Sequence, residues 1–507
     1  MRRLVVRYVG IANYSDSMAP SRWSRNFNEF VQSCRAYRPS QLVPTIARIS
    51  AALGEPPYAD DVKRRCPPWG LAAIARESLL YGNEHRDKPV TDDGIVVLLR
   101  KFFDADVPLQ LARGDPGVLV SLVTPILYEQ FPWQESIFEE LARSHALMIE
   151  GLNDVDTKVI SEFALAEVLG GVPLGDAIVA TFVLQVGANQ NGGLYNRSWL
   201  DQDNFKDVLE LYPRGNIEAA AGRLTATQAE FRDDFAKRSH GIKELVKFDY
   251  NPLVRTPFVE LANGVTVAPA PRLIMRTVTP GGLYYPGLER YDEAFTTDLG
   301  HLFEHYVGRH LRLIDGAEVH PELTYGPRRD KKSVDWFVVL PGLVLIIECK
   351  LKRLSLAARA GGSALFPELT RAVGKAYDQL GRSVEQLATK TPEFSHIPSD
   401  RPILAIIVSA EPIYGGNAYL VEKHGATLSA GHLRNVPVAA ISARDLEAWV
   451  THGAAIEDRL LEVLRDHTVG TALPIHDVRL HGNRPNIILE NAWNTYPFPA
   501  LGIDEAG

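Results

Sequence analysis

Apolar residues recur at spacings of three and four positions along the first half of the chain. Segments 137–152 and 158–171 show this pattern, and runs rich in Gly, Pro and Asp at 53–61 and 113–117 interrupt it. Spacings of three and four place apolar side chains on one face of an α-helix. We therefore predict a large, mainly α-helical N-terminal region over residues 1–245, long enough to hold two subdomains.

The pattern changes near residue 246. The dipeptide Asn263-Gly264 lies between two β-rich runs, and Asn-Gly in this setting is the strongest short signal for a β-hairpin. We predict a β-hairpin connector over residues 246–290. Residues 292–314 then return to helical spacing, which predicts a long amphipathic helix at the start of the next domain.

Three short β-rich runs follow this helix, and a second helical segment separates them from a continuous apolar run that is typical of a strand covered on both faces. The order αβββαβ, followed by a further strand and helix, predicts an α/β domain over 291–460 in which helices cover both faces of a mixed sheet. The proline-containing residues 461–507 are predicted to form an irregular tail. The predicted elements lie at 318–325, 333–340, 343–350, 367–390, 402–410 and 436–450.

The composition is that of an ordinary folded protein. The 507 residues are 46% hydrophobic and 23% charged, which is enough chain for about three domains. The net charge of −8 restricts any nucleic-acid-binding surface to a local basic patch. Three widely separated cysteines favour a reducing compartment, and the apolar runs are shorter than the roughly 20 residues that a spanning helix needs. We therefore expect a cytoplasmic protein without membrane contact or signal peptide.

Three charged residues interrupt strands that should be buried. In 345-LIIECK-350, alternation places Glu348 and Lys350 on the same face, and Asp335 on the preceding strand can lie across from them in a hairpin. Two converging carboxylates repel each other unless a cation lies between them, and hard oxygen ligands favour Mg²⁺ or Mn²⁺. Such a metal, with Lys350 to position water or phosphate, is suited to phosphodiester hydrolysis.

At these residues the chain resembles the PD-(D/E)xK nuclease superfamily, although Val334 replaces the proline of the motif. The resemblance covers about residues 292–450 and implies a restriction-endonuclease-like core. It implies that Asp335, Glu348 and the backbone carbonyl of Cys349 bind the metal and that Lys350 is catalytic. It also implies an acidic residue on the first helix that completes or tunes the catalytic site and is a further candidate metal ligand, and Glu304 matches this position. The substrate implied by the family is DNA.

Basic residues concentrate around this motif: residues 301–390 hold 14 Lys and Arg against 10 Asp and Glu, in a chain that is acidic overall. We expect several of them to contact phosphates, although a solvated loop is an equal alternative. The superfamily often adds a polar or basic residue from the helix after the motif. The candidate nucleic-acid-binding residues are Arg328, Arg329, Lys331, Lys332, Lys352, Arg353, Lys375 and Gln379, with Arg359 nearby.

Two alternatives remain open. The same residues would be found in an inactive relative that only binds nucleic acid or assembles with other proteins. His301, Glu304 and His305 also spell the HxxEH pattern of an inverted zinc-peptidase motif, in which two histidines one turn apart share a metal. For the large N-terminal region we expect a role in recognition or control, as in restriction and phage-defence proteins, with a protein activator or a second copy of the chain as a partner.

Overall fold

The computed structural model describes residues 22–54, 56, 58–105, 116–351, 353–427, 433, 435–467, 473 and 482–496. Within these ranges the chain is a mixed α/β protein that contains a small sheet, a larger mixed sheet and many helices. Among the described residues, no helix has both the length and the apolar character that crossing a membrane requires.

The described part of the chain before residue 245 consists mainly of helices. Several begin at side chains that accept a hydrogen bond from the first turn, as at Ser136 and Ser161, and Thr227 forms a full capping box with Glu230. The helices are α1 (Arg22–Cys34), α2 (Pro39–Ala51), α3 (Asp60–Arg65), α4 (Pro68–Tyr81), α5 (Asp92–Asp104), α6 (Pro116–Gln130), α7 (Ile137–Met148), α8 (Glu162–Val168), α9 (Leu174–Gln190), α10 (Lys206–Leu211), α11 (Arg214–Arg223) and α12 (Gln228–Arg238).

The hairpin expected at Asn263-Gly264 is present, but it is not a separate connector. Its strands pair antiparallel and join two very short strands of the helical region in one sheet, ordered β1-β4-β3-β2. The predicted boundaries at 245 and 290 therefore divide elements that belong together. The strands are β1 (Leu194–Tyr195), β2 (Thr225–Thr227), β3 (Phe258–Glu260) and β4 (Thr266–Val267).

A short helix, α13 (Leu273–Arg276), leads to the long helix α14 (Pro280–Leu311). The helix α14 begins twelve residues before the predicted start, because Thr279 caps the first turn and Pro280 occupies a position where its missing N–H costs nothing. Asp292 interrupts it with φ of 54° and so divides it into two helical segments. The second segment carries the apolar face that the spacing in 292–314 predicts.

The larger sheet has five strands in the order β11-β10-β9-β8-β5. The strands β5, β8 and β9 form an antiparallel meander, whereas β9, β10 and β11 run parallel, so the sheet is mixed. A separate two-stranded hairpin, β6 with β7, lies between β5 and β8 in the chain. The bounds are β5 (Glu318–Pro321), β6 (Thr324–Tyr325), β7 (Lys331–Lys332), β8 (Trp336–Leu340), β9 (Leu343–Lys350), β10 (Ile403–Ser409) and β11 (Val438–Ser442).

Helices pack on both faces of this sheet. The helices α14 and α19 share a core with one face, and α17 shares a core with the other, which explains why β9 and β10 are almost entirely apolar. The predicted tail is not wholly irregular, since α20 ends inside it and α21 buries Trp493 against α7. These helices are α15 (Leu356–Arg359), α16 (Leu365–Leu369), α17 (Lys375–Ala388), α18 (Gly416–Thr427), α19 (Ala443–Trp449), α20 (Ala455–Asp466) and α21 (Ile487–Asn494).

One hydrophobic core extends from the helical region into the sheet. It includes Leu141 of α7, Ile178 of α9, Leu302 of α14 and Ile347 of β9, each almost fully buried. The chain therefore does not break into separate cores at residue 245. The larger sheet is supported on one face by helices from both halves of the sequence.

Candidate active site

Asp335 and Glu348 lie opposite each other at one end of the antiparallel pair β8 and β9. Trp336 pairs with Ile347, and the next step of this register places Asp335 opposite Glu348. Side chains alternate between faces along β9, so Glu348 and Lys350 share the face that packs toward α17. The local geometry predicted for the three residues is therefore the geometry that the structure shows.

Hydrogen bonds fix the three side chains. The backbone N–H of Cys349 donates to Oδ2 of Asp335 at 2.6 Å, and Nζ of Lys350 lies 2.5 Å from Oε1 of Glu348. The second carboxylate oxygen of Glu348, Oε2, is buried and has no hydrogen-bond partner among the described residues. A buried anionic oxygen without a donor is costly, so this oxygen is available to a cation.

Glu304 comes from the second segment of α14. The indole Nε1 of Trp336 donates to the backbone carbonyl of Glu304 at 3.1 Å, which joins α14 to the beginning of β8. Burial, together with the negative charges of Asp335 and Glu322, raises the pKa of Glu304 to about 7. The Glu304 carboxyl therefore lies close enough to Asp335 for the two charges to interact.

The other two carboxyls are also shifted toward the protonated form. Burial is the largest cause for both, and it raises the pKa of Asp335, although the Cys349 amide and Lys350 oppose the shift. Burial and the neighbouring Asp335 raise the pKa of Glu348 to about 8, while Lys350 lowers it. Interacting carboxyl groups with strongly shifted pKa values are typical of functional sites. Here the single ammonium of Lys350 does not neutralise all the carboxylates of the cluster.

A fourth carboxylate, Glu322, was missed from the sequence. The register of β5 with β8 pairs Pro321 with Trp336, so the next residue, Glu322, lies beside Asp335. Its charge contributes to raising the pKa of both Asp335 and Glu304, and its own carboxylate is 2.8 Å from Nζ of Lys332. In the sequence, Glu322 is only an acidic residue that follows a predicted strand. Its position beside Asp335 can be recognised only when the β5–β8 register is known.

The donor set suits a hard divalent cation. Asp335 provides a half-buried carboxylate, and Glu348 provides a buried one with an oxygen that has no partner among the described residues. Glu304 and Glu322 add negative potential around them. In this conformation, no three His, Cys, Asp or Glu side chains of the described chain are grouped closely enough to hold an ion by themselves. A metal here would therefore need a further ligand, such as the backbone carbonyl of Cys349 that the family resemblance implies.

Val334, which replaces the proline of the family motif, has a structural role. Its backbone N–H donates to Oγ of Ser383 on α17 at 3.0 Å, a bond that proline cannot make. One turn earlier on α17, Gln379 donates to the carbonyl of Ser333 at 3.1 Å. Gln379 therefore lies beside the residues that lead into Asp335, whereas Lys375 is exposed on the same helix.

The basic residues before Asp335 form a hairpin and not an open loop. Lys331 and Lys332 form β7, which pairs with β6, while Arg328 and Arg329 occupy the turn. Arg328, Arg329 and Lys331 are exposed, and Lys332 is paired with Glu322. The hairpin thus presents a basic surface that is connected to the carboxylate cluster through the Lys332–Glu322 ion pair.

The basic residues after Lys350 are arranged differently. Arg353 is 2.8 Å from Glu411, donates to the carbonyl of Gly281 at 2.6 Å and packs over the ring of Tyr285. Arg359 also binds Glu411, at 3.1 Å. The structure does not bring these two arginines to the surface of the basic hairpin. The half-buried carboxylate of Glu411 and the rings of Tyr128, Tyr284 and Tyr285 hold them elsewhere. The prediction for Lys352 lies outside the described residues.

The alternative zinc motif is not assembled. His301 is exposed, and Nε2 of His305 is 3.4 Å from Asp154, in the loop before α8. The charge of Asp335 is one cause of the raised pKa of Glu304, so Glu304 interacts electrostatically with the carboxylate cluster. Within the described ranges no third ligand joins the two histidines.

Comparison with known proteins adds no relatives. No protein-family model matches the chain, and no curated protein shows significant similarity to it. The interpretation of the site therefore depends on its own geometry and chemistry.

Proposed function

We propose that the chain is a metal-dependent nuclease of the PD-(D/E)xK type, which hydrolyses phosphodiester bonds of DNA. The observation that carries the proposal is the facing pair Asp335 and Glu348 at the end of β8 and β9, with Lys350 bound to one oxygen of Glu348 and the other oxygen left buried without a partner. A buried cluster of this kind weakens the fold unless it serves a ligand.

The arrangement of the elements supports the same proposal. A helix, α14, precedes the β5-β8-β9 meander, α17 follows it, and β10 then pairs parallel to β9. The superfamily's αβββαβ core has this order, with its Asp at the second strand and its Glu-x-Lys on the third. The sheet is larger than this core by one parallel strand, β11.

Each residue has a role in the proposed reaction. Asp335 and Glu348 would hold Mg²⁺ or Mn²⁺, and the Cys349 carbonyl would be a third ligand. When bound, the ion supplies Lewis-acid polarisation of the phosphate and a lowered pKa for bound water. Lys350 places a positive charge beside Glu348, where it orients the attacking water or the phosphate oxygen. Glu304 keeps the cluster negative and accepts a proton at its carboxylate.

The basic hairpin serves as the nearest binding surface for the substrate. Arg328, Arg329 and Lys331 are exposed beside the cluster and are suited to backbone phosphates, which carry no sequence information. The helical region would then provide recognition or control, as expected for a restriction or phage-defence protein. It packs continuously against the nuclease sheet, so a conformational change in it would reach the site.

The test is cleavage of supercoiled plasmid, linear duplex and single-stranded DNA in Mg²⁺, Mn²⁺ or EDTA. We expect metal-dependent cutting by the native protein and a loss of about 100-fold or more with Lys350→Ala, because a residue that stabilises transition-state charge has an effect of this size. Lys237→Ala, which changes an exposed lysine of α12, is the matched control and should cut normally.

If the native protein binds DNA but cuts none of these substrates in either metal, and binding is the same with Lys350→Ala, the nuclease proposal is wrong. The chain would then be an inactive nucleic-acid-binding module.

A further inference from the structure

A cavity of about 780 Å³ lies between the helical region and the carboxyl ends of the sheet strands. Its walls include Trp133 and Arg223 from the helical region and Leu351 and Glu411 from the segments that follow β9 and β10. Leu351 belongs to the core on the α14 side of the sheet, opposite to the face that carries Glu348. The cavity is therefore distinct from the carboxylate cluster.

The cavity is positively charged in a chain whose net charge is −8. Among the described residues, ten Arg and Lys side chains line it against seven Asp and Glu. Two of these acids are shifted toward neutrality, since burial raises the pKa of Glu129 to about 8 and that of Glu135 to about 7. Burial and the charge of Arg76 likewise lower the pKa of Lys247 to about 7. Arg76 and Arg143 pair with Glu77 and Glu447, which do not line the cavity, so the excess positive charge of the wall lies with the other arginines.

Arg223, at the end of α11, is the least neutralised of these cations. Its Nε and Nη2 atoms are buried and have no hydrogen-bond partner among the described residues. Burial, together with the neighbouring charge of Arg255, lowers the pKa of Arg223 to about 10. Arg255 itself shares the single carboxylate of Glu289 with Arg238, at 2.9 and 2.7 Å. Arg238 also pairs with Asp234 on α12, so Arg223, Arg238 and Arg255 have two nearby carboxylates, and neither of these pairs with Arg223.

Aromatic side chains lie in the same cavity. Tyr284 and Tyr285, one turn before Glu289 on α14, contact each other edge to face, and the guanidinium of Arg353 lies over both rings. Tyr285 is 37% exposed, so part of its ring is available to a ligand. A planar ring in a cavity that also holds the incompletely hydrogen-bonded guanidinium of Arg223 suits a ligand that has both an aromatic base and an anionic group.

We propose that this cavity binds a nucleotide carrying one or more phosphates, with Arg223 and Arg255 binding phosphate and Tyr285 stacking on the base. Guanidinium forks bind phosphate oxygens bidentately, and Arg223 has two N–H groups to offer. The volume lies within the roughly 300 to 1,000 Å³ of small-ligand sites, which suits a mononucleotide or dinucleotide and not a duplex. This site does not depend on nuclease activity.

The test is calorimetric titration of the full-length chain, in EDTA, with ATP, the dinucleotide pApA, adenosine and inorganic phosphate. We expect ATP or pApA to bind at least about tenfold more tightly than adenosine or phosphate alone, because only the nucleotides satisfy both the arginines and the aromatic wall. Arg223→Gln and Arg255→Gln should each weaken this binding by about tenfold or more, whereas Arg48→Gln, an exposed arginine of α2, should leave it unchanged.

Two further measurements separate this proposal from the nuclease proposal and from an effect on folding. Lys350→Ala should bind the nucleotide normally, so that failure of the nuclease proposal and failure of this one can be told apart. Arg223→Gln should unfold at a temperature equal to or above that of the native protein in the absence of ligand, because it removes a buried unpaired charge. The proposal is overturned if no phosphorylated probe binds at up to about 1 mM, if phosphate binds as tightly as ATP, or if both Arg223→Gln and Arg255→Gln bind normally.

Discussion

Nζ of Lys350 lies 2.5 Å from Oε1 of Glu348, and the other oxygen of that carboxylate is buried without a hydrogen-bond partner among the described residues. The two side chains are two positions apart on β9 and share one face of the strand. Lys350 therefore partly neutralises Glu348 and leaves one oxygen for a second cation. One oxygen of Glu348 therefore belongs to the ion pair with Lys350, and the other oxygen can bind the metal ion that the proposed reaction needs.

Replacing Glu348 by Gln should separate catalysis from folding. The amide keeps the shape of the side chain but removes its charge, so cleavage should fall by about 100-fold or more while the chain remains folded. Thermal unfolding should change little or move upward, since burial disfavours the carboxylate. Parallel cleavage and unfolding measurements check this, with Glu393→Gln as the surface control. Full activity of Glu348→Gln would exclude Glu348 from the reaction.

Close packing at Gly308 should be needed to hold Glu304 in place. A Cβ atom built on Gly308 would overlap the ring of Trp336, which also binds the carbonyl of Glu304. We expect Gly308→Ala to lower the free energy of unfolding by about 1–3 kcal/mol and to reduce cleavage, because overpacking moves α14 away from β8.

Gly300 provides the matched control for this substitution. It lies two turns earlier on α14, and nothing lies within 4 Å of the position of its Cβ. Gly300→Ala should raise the free energy of unfolding by about 0.5–1 kcal/mol, because alanine is the better helix former. Chemical denaturation of both variants measures the difference, and equal effects from both would contradict the proposed close contact.

The basic hairpin should contribute to affinity without sequence preference. Changing Arg328, Arg329 and Lys331 together to Ala should weaken DNA binding similarly for unrelated sequences. The slope of log affinity against log salt should become shallower by about 2 to 3, because roughly one counterion is released for each phosphate contact. Fluorescence anisotropy at several salt concentrations measures this. An unchanged slope would mean that the hairpin is only a solvated surface.

Lys247 should make stability depend on pH. It is buried, and burial together with the charge of Arg76 lowers its pKa from 10.5 to about 7. A lysine with a lowered folded pKa destabilises the native state fully below about pH 7, and the penalty disappears as pH rises from about 7 to 10.5. Lys247→Met should therefore stabilise the protein more at pH 6 than at pH 9, by a difference on the order of 2 kcal/mol.

Denaturant unfolding of native protein and Lys247→Met at several pH values measures this difference, and Lys243→Met, on the same segment, is the control. A gain in stability that is the same at pH 6 and pH 9 would contradict the lowered pKa.

Local periodicity explains how much of the site could be predicted from the sequence. Alternation along β9 places Glu348 and Lys350 on one face, because a two-residue period is a property of any strand. The apolar stripe of α14 likewise indicates where Glu304 lies. Glu322 and Arg353 could not be assigned in this way. The position of Glu322 depends on the β5–β8 register, and Arg353 is held by Glu411, which is 58 residues away in the chain.

The same reason explains the errors in the fold. The strands β1 and β2 have two and three residues, too few to show a period, so the small sheet of the helical region was not predicted. The predicted irregular tail contains α21, whose apolar face is stabilised by α7 from the other half of the chain. Elements that depend on distant partners leave little trace in their own sequence.

The most direct test of the carboxylate cluster is a calorimetric titration with Mn²⁺ that compares native protein with Asp335→Asn. Asp330→Asn, an exposed aspartate of the neighbouring hairpin, is the control, and His301→Ala tests the zinc alternative. The proposed nuclease predicts at least one Mn²⁺ bound by the native protein, weakened by about tenfold or more in Asp335→Asn and unchanged in the other two variants. Equal binding by the native protein and Asp335→Asn would contradict it.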